Sequence, residues 1–347
     1  MLSFMSLLFV VFKSMSQVIK YSQMYQKCFW RKHFYALIQI ALFGFISLAS
    51  GVDLEQNISP LPRIFEPLTE PPCSYCIEQH EKGLIDASDS VLAWIRGAHN
   101  GGAFPLKYFL NKYRVVNDTY GLFMYDPKEN FIAAYQKDYG YQYVGRINGE
   151  MVVRGKDGTI WSAIKGIGLS GPQKGMKLNR IPNIRTTWGH WLLLHPESTT
   201  YDLFDGNRYD STSLEGKENV KTSAQVITLG LDVEPKFHWE PPVDKKRFSE
   251  TVEIGQMRVC LLWYGPTKTA VAYSAESKGK KLTFYADEIS PLTAPFKDKE
   301  TGTRWTLAGR AVDGPLRGRD LKWIPSIQSS KNAWIAAFPD SRPISKN

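Results

Sequence analysis

From residue 90 onward the apolar positions fall mostly in short runs broken by turn residues, which is the pattern of strands rather than long helices. Val91–Ile95 reads as a strand, and Tyr113–Asp118 as another that enters an Asn-Asp turn at Asn117-Asp118. Leu122–Tyr125 and Phe131–Tyr135, split by Asp126–Asn130, predict a hairpin, and Tyr139–Arg154 predicts a second one turning at Asn148-Gly149. Pro105 stands where a helix starts, with Phe104, Tyr108 and Phe109 placed to bury one face. Further on, Val226–Val233, Met257–Tyr264, Thr269–Ser274 and Lys281–Ala286 read as strands, around an irregular Pro235–Pro242. Only Trp188–His195 and Lys331–Phe338 space their apolar residues three to four apart; Thr186-Thr187 and Ser329-Ser330 precede them as capping hydroxyls and a proline stops each.

Those two helices end two similar stretches. Gly171-Pro172, Gly175, Leu178, Pro182, Trp191 and Pro196 recur as Gly314-Pro315, Gly318, Leu321, Pro325, Trp334 and Pro339, at a constant offset of 143 positions. Gly158-Thr-Ile-Trp161 and Gly302-Thr-Arg-Trp305 precede them. This predicts a tandem duplication. The expected fold is β-rich α+β, with two divergent repeats, residues 90–200 and 223–344, joined by a polar linker at 201–222. Each is expected to be a small β-sheet or barrel-like unit closed by a short Trp-anchored helix, the two packing with pseudo-twofold symmetry.

Composition adds less. The chain has 347 residues, enough for one large core or two ordinary ones. Its formal charge of +9 suggests nucleic acid until it is located: residues 1–51 hold five basic side chains and no acid, leaving about +4 on the rest. With the remaining charges interspersed, a nucleic-acid partner is not expected. Residues 1–51 read as a signal peptide, Lys27–His33 giving the basic flank, Phe34–Leu48 the apolar run and Ala49-Ser50-Gly51 the small residues for cleavage. Uncleaved, residues 34–49 would be a marginal membrane anchor. Either Met1 or Met24 suits as the start. The expected location is exported, periplasmic or extracellular, with membrane contact only through this segment.

Residues 52–89 read as a Pro-rich tether carrying Cys73-Ser-Tyr-Cys76-Ile-Glu-Gln-His80. In an oxidising compartment a Cys73–Cys76 disulfide is the favoured reading. Two thiols and an imidazole at this spacing also suit copper or zinc, or thiol redox exchange. Cys260, inside an apolar run, reads as packing.

No nucleophile elbow, His-Glu-x-x-His motif or phosphate-cradling loop is written in the chain. His195 before Pro196 reads as a donor to free helix-end carbonyls. Asp157, Asp298 and Glu300 read as solvated loop acids. Asn117 and Asp118 either close an Asx turn or position a ligand. Trp188, replaced by Lys331 in the second stretch, is available for ligand stacking beside His190.

Val116-Asn117-Asp118-Thr-Tyr-Gly121, Gly158-Thr-Ile-Trp161, Gly171-Pro172-Gln-Lys-Gly175, Leu178, Pro182, Thr186-Thr187-Trp188, Trp191 and His195-Pro196 resemble the family called domain of unknown function 3179, and the second stretch resembles it again. The resemblance implies a bacterial, often exported protein whose activity is not established. Many members carry Cys-Pro-Leu-Cys where this chain has Phe123-Met-Tyr-Asp-Pro127, and the second stretch has Phe248-Ser-Glu-Thr251 in place of Asn-Asp. Three functions emerge as expectations. The leading one is a non-catalytic binding or interaction module for a small molecule, polymer or protein, with Asn117, Asp118, Trp188 and His190 meeting in a cleft between repeats. The second is a metal- or thiol-redox-linked periplasmic protein using Cys73, Cys76 and His80. The third is an enzyme of hydrolase type.

Overall fold

The computed structural model describes residues 54–61, 64–71, 73–75, 80–96, 100–109, 114–136, 138, 140–201 and 226–344. The predicted signal peptide and most of the linker lie outside these residues. A compact unit begins at Asn57. It is built of small sheets, with two α-helices among the described residues.

Among the described residues before 202 there are three sheets. Val115–Asp118, Gly121–Asp126 and Phe131–Tyr135 form an antiparallel meander with Leu68–Thr69 parallel at its edge. Gln142–Ile147, Glu150–Arg154, Ile160–Ser162 and Ile167–Ser170 form a second. The third has the order Ile184–Thr187, Ser90–Arg96, Asn100–Pro105, Thr199–Tyr201, Cys73–Tyr75, antiparallel except where Thr199–Tyr201 runs parallel to Asn100–Pro105. After residue 225 come a meander of Arg247–Ile254, Met257–Tyr264 and Thr269–Ser274, a sheet of Phe284–Ala286, Phe296–Asp298, Arg304–Trp305 and Ala311–Asp313, and a sheet ordered Ser326–Ser330, Ile227–Leu231, Phe237–Trp239, Arg342–Pro343. A two-stranded ribbon at Glu276–Ser277 and Lys280–Lys281 completes the set. None of the sheets closes into a barrel, contrary to the barrel-like units expected. With two to five short strands each, they have too few to curl round on themselves.

Local chemistry accounts for the elements that were legible. Asn148 and Gly149 both take positive φ, 51° and 84°, the pair that a type I′ hairpin turn requires. Gly171 has φ 90° and a Cβ there would stand 2.7 Å from the Thr159 Cα; Gly314 has φ 85° with 2.8 Å to the Thr303 Cα. Helix α1 is Trp188–Leu194 and helix α2 is Lys331–Ala337. Ser330 caps α2, its Oγ accepting from the Ala333 N–H at 3.1 Å. Thr187 precedes α1 in extended backbone but its side chain makes no capping bond.

Several segments differ from expectation. Pro105 ends a strand, Asn100–Pro105, and only a single 3-10 turn, Leu106–Phe109, follows. That strand was hidden by Gly101-Gly102, yet Gly101 is needed: a Cβ there would lie 2.1 Å from the Ser198 Oγ and 3.0 Å from the Trp191 ring. Arg247–Ile254 is a half-exposed edge strand whose alternation of Phe248, Val252 and Ile254 is interrupted by Glu250, and Pro235–Pro242 contains the strand Phe237–Trp239. The tether region does not run free. Phe65 is buried against Tyr143, and both Leu68–Thr69 and the Cys73–Tyr75 backbone join sheets.

The cores cross the chain. Trp188 and Trp191 of the α1 region pack in a cluster made mostly of residues beyond 226, among them Cys260, Leu262, Tyr273, Trp305 and Leu321. Conversely, Trp334 of α2 packs among Phe65, Tyr135, Met151 and Trp161. Each helix tryptophan thus lies in a cluster drawn mostly from the opposite part of the chain, while two further clusters are each confined to one part.

Candidate functional site

The four residues expected to form a ligand site are each placed in the interior. Asn117 is buried and its amide forms a closed pair with one backbone unit, Nδ2 donating to the Tyr141 carbonyl and Oδ1 accepting from the Tyr141 N–H, both at 3.0 Å. Asp118 accepts from the Tyr120 N–H at 3.4 Å and from the Tyr201 hydroxyl. Trp188 is wholly buried in the apolar cluster around α1. His190 is buried with its ring 5.1 Å from that of Tyr264, and loss of hydration pushes its pKa down to about 4. The structure thus ties Asn117 and Asp118 to Tyr141 and Tyr201, and Trp188 and His190 to the α1 cluster. Cys76 lies outside the described residues, as does the side chain of Cys73. His80 is exposed, with Nδ1 3.1 Å from the Ile85 carbonyl oxygen. Cys260 is buried, as expected of a packing residue.

The loop acids divide. Asp157 is exposed, and hydrogen bonds from Thr159 and Gln173 hold its pKa below the usual carboxylate range. Asp298, expected to be solvated, is fully buried: it accepts from the Trp305 indole at 2.9 Å and from the Thr301 N–H and hydroxyl. Its donors lie only three and seven positions on, but the burial comes from the sheet packed around them.

A cavity of about 510 Å³ opens elsewhere, between residues from the two parts of the chain. One wall is Ala93, Trp94, Ile184, Trp191, Leu194 and His195; the other is Tyr273, Ala308, Leu321 and Trp323. Asn183, Arg310 and Asp320 supply polar groups. A volume of this size, with mostly apolar walls and a few polar groups, is the usual make-up of a small-molecule site.

Its walls are set by the fold. Trp191 and Leu194 lie on α1; Tyr273 is held by its hydroxyl, which donates to the Leu307 carbonyl at 3.0 Å, and by a backbone bridge to Trp323. Burial raises the Tyr273 pKa and keeps the phenol neutral. Arg310 donates through one nitrogen to both oxygens of Asp320, at 3.3 and 3.2 Å. Both partners are substantially exposed, 44% and 62% at the side chain, so this pair stands in water at the edge. His195 does not cap α1 with its ring, as the sequence suggested. Its backbone N–H bonds the Trp191 carbonyl, and the ring lies 4.2 Å from the Trp191 ring. Burial, reinforced by Arg310 and partly offset by Asp320, lowers its pKa to about 4.

A second aromatic face has another filling. Tyr135 donates to the Ala163 carbonyl at 2.7 Å and makes a backbone bridge to Arg180. The Arg180 guanidinium enters the interior, bonding Asp232 through Nε at 2.7 Å, the Tyr135 hydroxyl at 3.2 Å and the Ile164 carbonyl. Lys177 and Lys236 also reach Asp232, each at 3.0 Å. The cations hold Asp232 well below the usual carboxylate range, and the surroundings push Tyr135 up to about 12.

Sequence reasoning missed the cavity residues, although a signal existed. At the 143-residue offset Arg180 matches Trp323, Ile167 matches Arg310 and Lys177 matches Asp320. Positions where two similar stretches keep their glycines but exchange chemistry are where their surfaces differ.

These features define a β-rich protein of small open sheets with an aromatic cavity. The chain belongs to the family described as protein of unknown function (DUF3179), whose profile matches residues 61–341. No curated protein and no solved structure matches it. No helix among the described residues is long and apolar enough to cross a membrane.

Proposed function

We propose that this chain is an exported, non-catalytic binding module built by tandem duplication, with its ligand site in the cavity between the two parts. Matching hydrogen bonds support the duplication. Leu178 N–H to Gly166 carbonyl at 2.8 Å corresponds to Leu321 to Gly309 at 2.9 Å, and Gly175 to Gly168 corresponds to Gly318 to Ala311, both at 2.8 Å. Gly166 lies under Tyr135 as Gly309 lies under Tyr273. The strand order Ile184–Thr187, Ser90–Arg96, Asn100–Pro105, Thr199–Tyr201 also recurs after residue 225. The reciprocal burial of the two helix tryptophans is what a pseudo-twofold arrangement would give.

The observation that carries the binding reading is the difference between the two tyrosine faces. Arg180 and its partners fill the one at Tyr135, whereas Trp323 stands at the other and about 510 Å³ is left open. Asn117, Asp118, Trp188 and His190 then serve the scaffold, and the ligand meets Trp191, His195, Tyr273 and Trp323. An acid–base role for His195 beside Asp320 is the weaker reading. A histidine held near 4 is a poor base at neutral pH, and Asp320 is already paired.

A thermal-shift screen of small aromatics, sugars and amino acids tests this reading, run on the full chain and on Ala308→Trp, which fills the cavity. Stabilisation of the parent by some compounds and not of the variant is expected. A screen in which nothing stabilises the parent, or in which the variant responds equally, would refute it. For export, fusion of residues 1–51 to a phosphatase that is active only outside the cytoplasm should give activity; an inactive, fully expressed fusion would exclude it.

A further inference from the structure

Resting on the binding reading above, we infer that the ligand of this cavity is an uncharged, planar, largely apolar molecule carrying at most one or two hydrogen-bond acceptors. The walls set the shape. Trp191, Tyr273 and Trp323 offer ring surfaces, and Ile184, Leu194 and Leu321 fill between them. Flat apolar surface buried against such walls gains about 25 cal/mol for each Å² removed from water.

The charge distribution sets the rest. Among the described lining residues the ionisable side chains are His195, Tyr273, Arg310 and Asp320. Arg310 and Asp320 cancel each other at the exposed edge, where water screens an added ion as it screens any surface pair. Deeper in, the Tyr273 hydroxyl is committed to the Leu307 carbonyl, and His195 is neutral at physiological pH. A charged group drawn inward would lose its hydration without a counter-ion.

Hydrogen-bonding capacity is scarce too. The Asn183 amide donates to the Ile181 carbonyl at 2.9 Å. The indole nitrogens of Trp191 and Trp323 are buried and present no surface to the cavity, so these walls meet a ligand with ring faces rather than with donors. A pyranose ring, whose CH face also stacks on tryptophan, brings several hydroxyls that these walls would leave unpaired.

The test compares three probes on the full chain in detergent-free buffer. The first is the neutral naphthalene ketone Prodan, the second the anionic anilinonaphthalene sulfonate ANS, the third the sugar cellotriose as a competitor. Saturable, blue-shifted Prodan emission with energy transfer from tryptophan is expected. ANS should bind about tenfold more weakly or worse, and cellotriose should not displace Prodan. Ala308→Trp, or Leu194→Trp if the first does not fold, should abolish Prodan binding. ANS binding as tightly as Prodan, or displacement by cellotriose, would overturn the ligand class while leaving the cavity as a binding site. If Prodan and ANS fail to bind and cellotriose causes no tryptophan shift, or if binding survives both fillings, the binding reading fails as well. The wild-type ratio of Prodan to ANS affinity decides the ligand class even if neither variant folds.

Discussion

Replacing Asp232 by asparagine removes one charge from the interior while keeping the shape. In the parent, the Asp232 and Arg180 side chains are 2% and 3% exposed and their bond is 2.7 Å long. Without the carboxylate charge, Arg180 has only neutral acceptors, the introduced amide oxygen, the Tyr135 hydroxyl and the Ile164 carbonyl. Removing one partner of such a pair leaves a buried charge uncompensated, which costs about 3–5 kcal/mol. Lys177 adds little, because at 45% exposure it is served by water and contributes about 0–1 kcal/mol, and Lys236, 14% exposed, keeps Glu234 as a partner. For an unfolding slope of roughly 3 kcal/mol/M, Asp232→Asn should lower the urea midpoint by about 1 M or more. Tryptophan fluorescence and circular dichroism should be followed together so that a coincident transition licenses the comparison. The double variant Arg180→Leu with Asp232→Leu should recover much of the loss, since an apolar pair of similar volume needs no compensation. A single variant within about 1 kcal/mol of the parent, or a double variant as unstable as the single, would refute the reasoning. The pH sign comes from the depressed Asp232 pKa. The contribution is complete above the unfolded carboxylate value of about 4 and is lost as pH falls through the lower folded value.

His190 and His195 act in a different window. Both are depressed to about 4, so the unfolded chain binds their protons first as pH falls below about 6.5. Urea midpoints should therefore fall between pH 6.5 and 4, and His190→Gln should flatten part of that slope; an unchanged slope would count against the burial argument. Asn117→Ala strands the Tyr141 N–H and carbonyl in the interior and should cost about 2–4 kcal/mol, read by thermal unfolding. Prodan affinity of the folded variant should not change, and a selective loss of affinity would return Asn117 to the ligand site. Ser330→Ala should lose about 1 kcal/mol with its cap, whereas Thr187→Ala, which has no capping bond, should stay within about 0.5 kcal/mol. Equal effects at the two positions would show that the hydroxyls act otherwise.

What the chain declares by itself is its local chemistry. The Asn148-Gly149 turn, the two Gly-Pro corners and the two short helices with their tryptophans stand where their residues predict, because φ preferences, capping and periodicity act over a few positions. Asn117 was equally legible as a strand-ending Asx residue, but its partner, Tyr141, is 24 positions away. Whether its amide faced a ligand or a carbonyl depended on which hairpin packed beside it. Asp298 has its donors, Thr301 and Trp305, close by in the chain, yet its burial was decided by the packing around that turn. Tertiary structure alone decided that Trp191 and Trp334 would each lie in a cluster dominated by the opposite part of the chain. It alone left the face at Trp323 open while Arg180 filled the one at Tyr135. Burial and charge compensation are properties of surfaces brought together from distant positions, and no window of sequence contains both.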